Sequence, residues 1–138
     1  MEPTRPTPRR PLPNVTEMNQ HFWCGGKLGK LHILRCEGCG LWIHPYAARC
    51  PACRSDKVAP QPVSGRGHVV GFTVNHQAWV QGVPVPYVVA IVQLEEQANV
   101  RLMTNMPRTP IEAVHVGMPV KVFFEQDGEI FVPLFEAA

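Results

Sequence analysis

The sequence predicts a mainly β protein in which a short N-terminal helix is followed by a small cysteine-bearing ribbon and a five-stranded barrel. Three observations lead to this prediction. The 138 residues include 15 prolines and 11 glycines, too many for a helical bundle, while a hydrophobic content of 45% is enough for a buried core. Two paired cysteine motifs lie in the N-terminal half. The C-terminal half holds five runs rich in valine, isoleucine and aromatic residues.

Residues 1–13 are predicted to form an extended arm. Five of these residues are proline, which lacks the backbone N–H that helix interiors and central strands require. Such an arm either stays free or lies across another surface. We therefore treat it as a segment separate from the folded part of the chain.

Residues 14–30 are predicted to form a short helix and a connector. Asn14 or Thr16 is the expected N-cap, and Asn14 with Glu17 three positions later resembles a capping box. Two adjacent glycines, residues 25 and 26, are expected to end the helix, since glycine readily adopts the left-handed conformation. A helix of this length is marginal alone and must dock on other structure.

Residues 31–60 are predicted to form a zinc ribbon. Cys36 and Cys39 form one C-x2-C motif, and Cys50 and Cys53 form a second one ten residues later. Each motif directs two thiolates to one point, and two motifs complete a tetrahedral four-sulfur site. Because protein ligands fill all four positions, the expected metal is structural rather than catalytic.

Other roles for these cysteines are less consistent with the sequence. Disulfides are disfavoured because residues 1–13 lack the apolar segment of a secretory signal. A redox C-x-x-C would need a βαβ setting, which is absent from the pattern. Iron in a rubredoxin-like site is the main alternative metal. Cys24 is left over and is expected to be a buried, inert thiol.

Three arginines, residues 35, 49 and 54, flank the four cysteines. A zinc ion with four thiolates carries a charge of −2, so these guanidiniums are expected to compensate that charge. Binding of a phosphate group is the alternative role for them.

Residues 61–138 are predicted to form an OB-fold barrel of five strands. A short helix is expected at Pro110–Val114, with proline in its first turn, and Asp127-Gly128 indicates a hairpin. Five strands with a helix between the third and fourth is the element order of an OB-fold. The predicted strands are Val69–Val74, Tyr87–Leu94, Val100–Met106, Val120–Glu125 and Ile130–Phe135.

The charge distribution separates the two halves of the chain. Residues 1–58 carry a net charge of +5 and residues 59–138 carry −3, which gives the overall +2. Charged residues make up only 17%, which suggests that a partner covers part of the surface. No apolar run is long enough to span a bilayer, so we expect a cytoplasmic protein that does not bind membranes.

No catalytic constellation is recognisable in the sequence. The six histidines lie in no known nucleophile or metal motif, and neither a P-loop nor a G-x-S-x-G motif is present. The acidic residues of the second half fall mostly at strand ends and turns. The loop 75–86 carries Trp79, which either folds onto the barrel or contacts a partner. These features favour a binding or accessory module over an enzyme.

The order of motifs resembles a family of small two-domain proteins with an N-terminal helix, a rubredoxin-like zinc ribbon and a C-terminal OB-fold, long catalogued as a domain of unknown function. Each motif alone is weak, but their order and spacing are specific and span nearly the whole chain. One departure is Tyr46, which stands where the family has a second proline after Pro45. The motifs that carry the resemblance are Phe22-Trp23, Leu31-x-Ile33-x-Arg35-Cys36-x-x-Cys39-Gly40, His44-Pro45, Cys50-Pro51-x-Cys53, Ser64-Gly65-Arg66-Gly67, Pro86-Tyr87-Val88-Val89-Ala90, Gly117-Met118-Pro119-Val120 and Pro133-x-Phe135.

The resemblance implies a non-catalytic subunit of a thiolase-like acyl-CoA enzyme, such as an acyltransferase or an aldolase that shortens steroid side chains. The partner supplies the chemistry, this chain helps to hold or channel the acyl-CoA, and the complex is expected to contain two copies of each chain. The basic residues expected near the CoA are Lys27, Lys30 and Arg66. The residues expected to contact the partner are Phe22, Trp23, Trp79 and Phe135.

The main alternative is a protein that binds single-stranded nucleic acid, because zinc ribbons and OB-folds both serve that function. Such binding requires a positive groove with stacking aromatic residues. The net charge of −3 on the barrel half makes nucleic acid an unlikely partner, although Arg66 and Arg101 could form a local basic patch. A free-standing enzyme is the third hypothesis, for which the sequence offers no residues.

Overall fold

The computed structural model describes residues 10–138 and contains two antiparallel sheets. The first sheet has three strands in the order β2-β1-β3, and the second has five in the order β6-β5-β4-β7-β8. Among the described residues, no helix is long and apolar enough to cross a bilayer. The elements are α1 Gln20–Cys24, a 3-10 turn Gly25–Leu28, β1 His32–Cys36, β2 Trp42–Ile43, β3 Val58–Pro62, β4 Arg66–Asn75, β5 Tyr87–Leu94, β6 Arg101–Asn105, a 3-10 turn Ile111–Ala113, β7 Pro119–Asp127 and β8 Ile130–Ala137.

The N-terminal helix is present but starts later than predicted. The expected capping box is wrong, because Asn19 rather than Asn14 organises this segment. The Asn19 carboxamide accepts the N–H of Thr16 at 2.7 Å and donates to the carbonyl of Asn14 at 3.1 Å. These two bonds close a separate turn, and the α-helix then begins at Gln20.

The end of this helical segment also differs from the prediction. The α-helix passes at Gly25 into a 3-10 turn, and the left-handed residue that closes the segment is Gly29, with φ of 78°. Gly26 has a different role, because a Cβ there would lie 2.6 Å from Phe131 and 2.7 Å from Phe124. Glycine thus lets the turn contact the aromatic side chains of β7 and β8 directly.

The three-stranded sheet of the ribbon is built around β1. Side chains alternate across this strand, so Ile33 and Leu34 point to opposite faces. Leu34 and Cys36 enter a small cluster with Ile43 and Cys50, whereas Ile33 enters the large core of the barrel. One strand therefore contributes to both cores.

The five-stranded sheet has the strands of the predicted OB-fold in the predicted order. β4 lies at its centre, and β5 is paired with β4 on one side and β6 on the other. The inward side chains of β5 show where the core lies. These inward residues, Val88, Ala90 and Val92, are buried. The edge strands β6 and β8 meet where the Thr104 hydroxyl donates to the carbonyl of Pro133 at 3.2 Å. The sheet thereby curls into a barrel.

The predicted helix between the third and fourth barrel strands is a single 3-10 turn, Ile111–Ala113. Pro110 precedes this turn rather than forming its first residue, with an extended backbone at ψ of 138°. Three residues are too few for an α-helical hydrogen-bond pattern, so the segment closes through i to i+3 bonds.

The ribbon and the barrel share packing at their junction. Leu31, Ile33 and Trp42 of the ribbon are buried in the core of the barrel. The side chain of Gln97 also pairs with the backbone of Trp42, accepting its N–H at 3.0 Å and donating to its carbonyl at 2.8 Å. The side-chain amide thus takes the place of a neighbouring strand for the short strand β2.

Candidate metal centre and apolar groove

The four cysteines of the two C-x2-C motifs converge at one end of the ribbon. Their sulfur atoms all lie within 4.8 Å of one another. The Sγ atoms of Cys36 and Cys53 are 3.5 Å apart, and those of Cys39 and Cys50 are 3.6 Å apart. A tetrahedral zinc–thiolate site with bonds of about 2.3 Å places its sulfurs about 3.8 Å apart. The cluster therefore has the size and the donor set of a four-thiolate metal site.

Backbone N–H groups hold the first sulfur of each motif in the same way. The Cys36 sulfur accepts the N–H groups of Gly38 and Cys39 at 3.3 and 3.4 Å. The Cys50 sulfur accepts those of Ala52 and Cys53 at 3.4 and 3.5 Å. Such bonds favour thiolate over thiol, because an anionic acceptor bonds more strongly than a neutral one.

The pKa values of three of these thiols are shifted, and the shifts favour a cation at the centre of the cluster. The N–H of Cys39 lowers the pKa of Cys36 to about 6, and the N–H of Cys53 lowers the pKa of Cys50. The pKa of Cys39 is raised to about 11: the N–H of Leu41 lowers it, but the sulfur of Cys50 and other neighbours outweigh that bond. Four thiolates this close repel one another, and a divalent ion removes that repulsion.

Two arginines near the cluster bond to its turns. The Nε of Arg35 donates to the carbonyl of Gly40 at 2.9 Å, and its guanidinium lies over the Trp42 ring at 4.5 Å. Arg49 donates to the carbonyl of Arg54 at 3.2 Å. These contacts tie the arginines to the polypeptide turns that carry the cysteines, which agrees with a structural role rather than phosphate binding.

An apolar groove of about 880 Å³ lies on the barrel. Its walls come from α1, the loop 80–86, the strands β5, β6 and β8, and the segment 106–112. Arg10 and the prolines that follow it complete the wall at the N-terminal side. Its principal apolar lining residues are Phe22, Trp23, Val83, Leu102, Met106, Ile111, Val132 and Leu134.

Residues 10–13, here called the strap, are the part of the predicted Pro-rich arm that the structure describes. Arg10 donates to Glu125 at 2.8 Å and to the Asn105 side chain at 2.7 Å. Pro11 and Pro13 also line the groove. The strap thus lies against the barrel, whereas residues 1–9 lie outside the described residues.

Two of the four expected contact residues line the groove, and a third is exposed on the loop 75–86. Phe22 and Trp23 are half-buried, stack edge-to-face at 4.8 Å and line the groove. Trp79 is 75% exposed, and its indole N–H donates to Asn75 at 3.2 Å. The remaining expectation is wrong: Phe135 is 0% exposed, because β8 turns its side chain into the core.

The expected CoA-binding residues lie in two places. Lys27 and Lys30 are exposed on and just after the 3-10 turn that follows α1. Arg66 is exposed at the start of β4, opposite Lys121 of β7. Cys24, predicted to be buried, is only half-buried at the end of α1.

At the junction of α1 and the ribbon, the fold brings together histidines that the sequence did not predict to form a cluster. The rings of Phe22 and His44 lie 5.0 Å apart, and the buried Nε2 of His21 and Nδ1 of His44 have no hydrogen-bond partner among residues 10–138. Burial, followed by the charge of His21, lowers the pKa of His44 to about 4. Burial and then the charge of His32 also lower the pKa of His21. Nothing in the local sequence marks this cluster, because its members meet only in the folded chain.

The barrel is similar to a known family of domains. The profile of the family described as "ChsH2, C-terminal OB-fold domain" matches residues 60–125. Among curated relatives, a probable enoyl-CoA hydratase alpha subunit of Thermomonospora curvata is 33% identical over 97% of this chain. The 3-oxo-4,17-pregnadiene-20-carboxyl-CoA hydratase alpha subunit of Mycobacterium tuberculosis is 36% identical over 81% of it. The chain spans only 42% and 35% of the lengths of these two relatives.

Shorter relatives match over most of their own length. A DUF35 domain-containing scaffold protein of Methanocaldococcus jannaschii is 34% identical over 70% of this chain and 70% of its own. A chain of the solved structure "Ltp2-ChsH2(DUF35) aldolase" superimposes with a TM-score of 0.82 and 31% identity, covering 91% of this chain and 98% of that one. A DUF35 protein of Sulfolobus solfataricus, 16% identical with a TM-score of 0.59, shares the fold over 86% of this chain and 84% of its own. By the fold, the cysteine cluster and these relatives, the chain belongs to the DUF35 family.

Proposed function

We propose that this protein is an accessory subunit that assembles with a thiolase-like acyl-CoA enzyme. The observation that carries the proposal is the likeness, over 98% of its chain, to a DUF35 chain from a solved aldolase complex. Relatives named as hydratase alpha subunits and as scaffold proteins point the same way, since each name describes a component of a larger assembly. The names of two relatives include CoA, which supports an acyl-CoA as the ligand of the complex.

The cysteine cluster holds a structural Zn²⁺ in this proposal. Zinc suits four thiolates in tetrahedral geometry, and protein ligands at all four positions leave none for a reacting water. The ion neutralises the thiolates and fixes the two turns of the ribbon. It takes no part in the reaction of the complex.

The bases for carbon–carbon chemistry belong to the partner in this proposal. Along the groove, the charged side chains among the described residues are Arg10, Glu112 and Glu125, and the first and last of these are paired with each other. A general base must be free to take a proton from the substrate. Glu112, the remaining carboxylate of the lining, is exposed to solvent on the 3-10 turn Ile111–Ala113, and the proposal assigns to this chain binding and stability rather than a catalytic group.

The contact surface of the proposed complex includes the exposed Trp79 and the Phe22–Trp23 side of α1. Large aromatic residues are enriched among the residues that dominate binding energy at protein interfaces. An indole that is 75% exposed has much of its apolar surface still to bury. Thiolase-like folds usually dimerise, so we expect two copies of each chain.

Exposed basic residues in two parts of the protein receive the phosphates of CoA in this proposal. Lys27, Lys30 and Arg66 are all exposed and free to move toward an anion. Charged side chains of this kind contribute to binding mainly through long-range attraction, which added salt weakens.

Co-expression with a thiolase-like acyl-CoA enzyme from the same organism tests the proposal. Size-exclusion chromatography with light scattering is expected to show one complex of two copies of each chain. Trp79→Ala is expected to weaken assembly about 30-fold, because loss of a buried aromatic anchor costs about 2 kcal/mol. Val116→Ala is the matched control, since Val116 is another exposed apolar residue and lies outside the groove.

Two outcomes would overturn the proposal. One is separate elution of the two proteins with no change in the activity or solubility of the thiolase-like enzyme. The other is salt-dependent binding of this chain to single-stranded oligonucleotides, which the alternative function requires. Turnover of an acyl-CoA by the isolated chain would contradict the non-catalytic role alone.

A further inference from the structure

The apolar groove under the strap has the dimensions of a small-molecule site. Ligand pockets commonly measure about 300–1,000 Å³ and are lined mainly by apolar and aromatic side chains. This groove, at about 880 Å³, falls in that range. Its residues come from segments between Arg10 and Leu134, so it is a product of the whole barrel rather than of one loop.

Several polar groups along the groove are already engaged. Thr104 donates to the carbonyl of Pro133, and Asn105 donates to the carbonyl of Val88 at 2.7 Å. Asn105 also accepts a bond from Arg10. A ligand that takes hydrogen bonds from Thr104 or Asn105 would have to break these contacts, whereas a hydrocarbon would not.

The charges at the groove are unfavourable for a polyanion. The positive charge of Arg10 is paired with Glu125, and Glu112 adds a further negative charge to the lining. A phosphate placed here would face a net negative edge, and the described residues of the lining offer no unpaired cation. The described lining therefore disfavours the phosphates of CoA.

The strap forms one wall of the groove. Pro11 and Pro13 carry no backbone N–H, and both contribute to the lining. The ion pair of Arg10 with Glu125 attaches this wall to β7. With further walls from α1 and the loop 80–86, the apolar space suits the compact hydrocarbon of a small molecule.

We infer that the groove binds the hydrocarbon part of an acyl thioester, an alkyl chain or fused rings, while the CoA portion stays outside it. This inference rests on the proposed function, which identifies an acyl-CoA as the ligand of the complex. It adds which part of that ligand this chain binds, and where.

Fluorescence quenching on the full chain tests the inference without the partner. Trp23 lines the groove, so a bromoalkanol that enters it quenches the Trp23 emission. A Trp79→Phe background removes the exposed indole. With 6-bromohexanol, 8-bromooctanol and 11-bromoundecanol, affinity is expected to rise about three- to fourfold per methylene until the groove is filled.

Three variants of that background locate the binding. Val83→Phe and Ile111→Phe introduce rings from two different walls and are each expected to weaken 11-bromoundecanol binding at least tenfold. Val116→Phe adds the same ring at an exposed position outside the groove and is expected to change affinity less than twofold. Thermal unfolding of each variant verifies that the fold is intact, and two independent walls keep the test valid if one variant fails to fold.

Competition separates the acyl group from CoA. A long-chain acyl-CoA is expected to displace the bromoalkanol, and free CoA at the same concentration is expected not to. Absence of saturable quenching, equal affinity across the chain-length series, indifference to both groove variants, or displacement by free CoA would each overturn the inference. Co-elution with the thiolase-like partner is scored separately, so a failure to bind hydrocarbon and a failure to assemble are distinguishable.

Discussion

The ribbon and the barrel of this protein are stabilised in different ways. The small cluster of the ribbon consists of Leu34, Cys36, Ile43 and Cys50, and two of these four are sulfur donors of the metal site. The core of the barrel is several times larger and almost entirely aliphatic. A cluster of four buried residues offsets little of the conformational entropy of the turns around it, so we expect the ribbon to depend on the proposed metal.

Two adjoining regions of one protein can thus depend on different sources of stability although they share a strand. β1 places Ile33 in the barrel core and Cys36 in the metal site. Loss of the metal is therefore expected to release the turns that hold the cysteines, while Leu31, Ile33 and Trp42 keep the start of the ribbon against the barrel. Three substitutions and a change of pH test how the two regions are stabilised.

Removal of one metal ligand is expected to have the largest effect, and only on the ribbon. Cys53→Ser should abolish stoichiometric zinc, whose binding at such sites contributes about 10–16 kcal/mol, and unfold the cysteine turns. Hydrogen exchange should show loss of protection in the ribbon and retention in the barrel. Cys24→Ser is the matched control, since this cysteine lies outside the cluster and should leave zinc content unchanged. Equal zinc in both variants would refute the assignment.

A cavity in the barrel is expected to have the reverse effect. Phe135→Ala should lower the free energy of unfolding by about 3–5 kcal/mol, because the fully buried ring leaves a space that neighbouring strands cannot fill. Urea unfolding measures this loss, and zinc content below the transition should stay at one ion per chain. Val116→Ala, at a residue that is 63% exposed, should change stability by less than about 0.5 kcal/mol. A small loss for Phe135→Ala would contradict its place in the core.

Acid is expected to destabilise the contact between α1 and the ribbon through His44. Its pKa is about 4 in the folded protein and 6.5 in the unfolded chain, so the unfolded chain binds more protons between these values. Stability is therefore complete above about pH 6.5 and falls as the pH drops toward 4, by on the order of 2–3 kcal/mol.

Urea unfolding between pH 7 and 5, with zinc content monitored, measures this slope. His44→Gln should flatten it, whereas His76→Gln should not, because His76 is exposed in the loop before Trp79. An unchanged slope in His44→Gln would assign the acid sensitivity to other groups, such as the metal ligands.

The ion pair of the strap is expected to contribute least to the free energy of unfolding. Arg10→Ala removes a partly exposed ion pair, and such pairs contribute about 0.2–1 kcal/mol. The loss should shrink in 1 M salt, where the charges are screened. Arg108→Ala is a useful comparison, because Arg108 also pairs with a carboxylate, Glu136, but lies outside the groove. Hydrogen exchange near residues 10–13 should change only in Arg10→Ala.

Much of the architecture could be predicted because it depends on local patterns. The run Tyr87–Leu94, rich in valine and isoleucine, matches the observed strand β5 at both ends, since β-branched residues favour strands whatever their neighbours. The C-x2-C spacing predicted a convergence of sulfurs that is observed, because a tight turn determines where two side chains point. The contribution of Trp79 to the surface was left open by the sequence and decided by the fold.

The failures have a common physical reason. The helix start depends on Asn19 folding back on Thr16 and Asn14, a competition that residue preferences alone do not resolve. Phe135 was assigned to a partner surface because it lies near the C-terminal end, yet the pairing of β8 with β7 turns it inward. The groove required six distant segments to meet, and the strap's ion pair joins residues 115 positions apart.

The order and type of the strands, the convergence of the four cysteines and the family therefore follow from the sequence alone, since strand preference and turn geometry are properties of neighbouring residues. Only the tertiary structure decided which aromatic residues are buried, how one strand serves two cores, and that an apolar groove exists beneath the strap. Those features depend on the packing of residues far apart in the chain, and packing is settled by the space that the whole fold leaves between them.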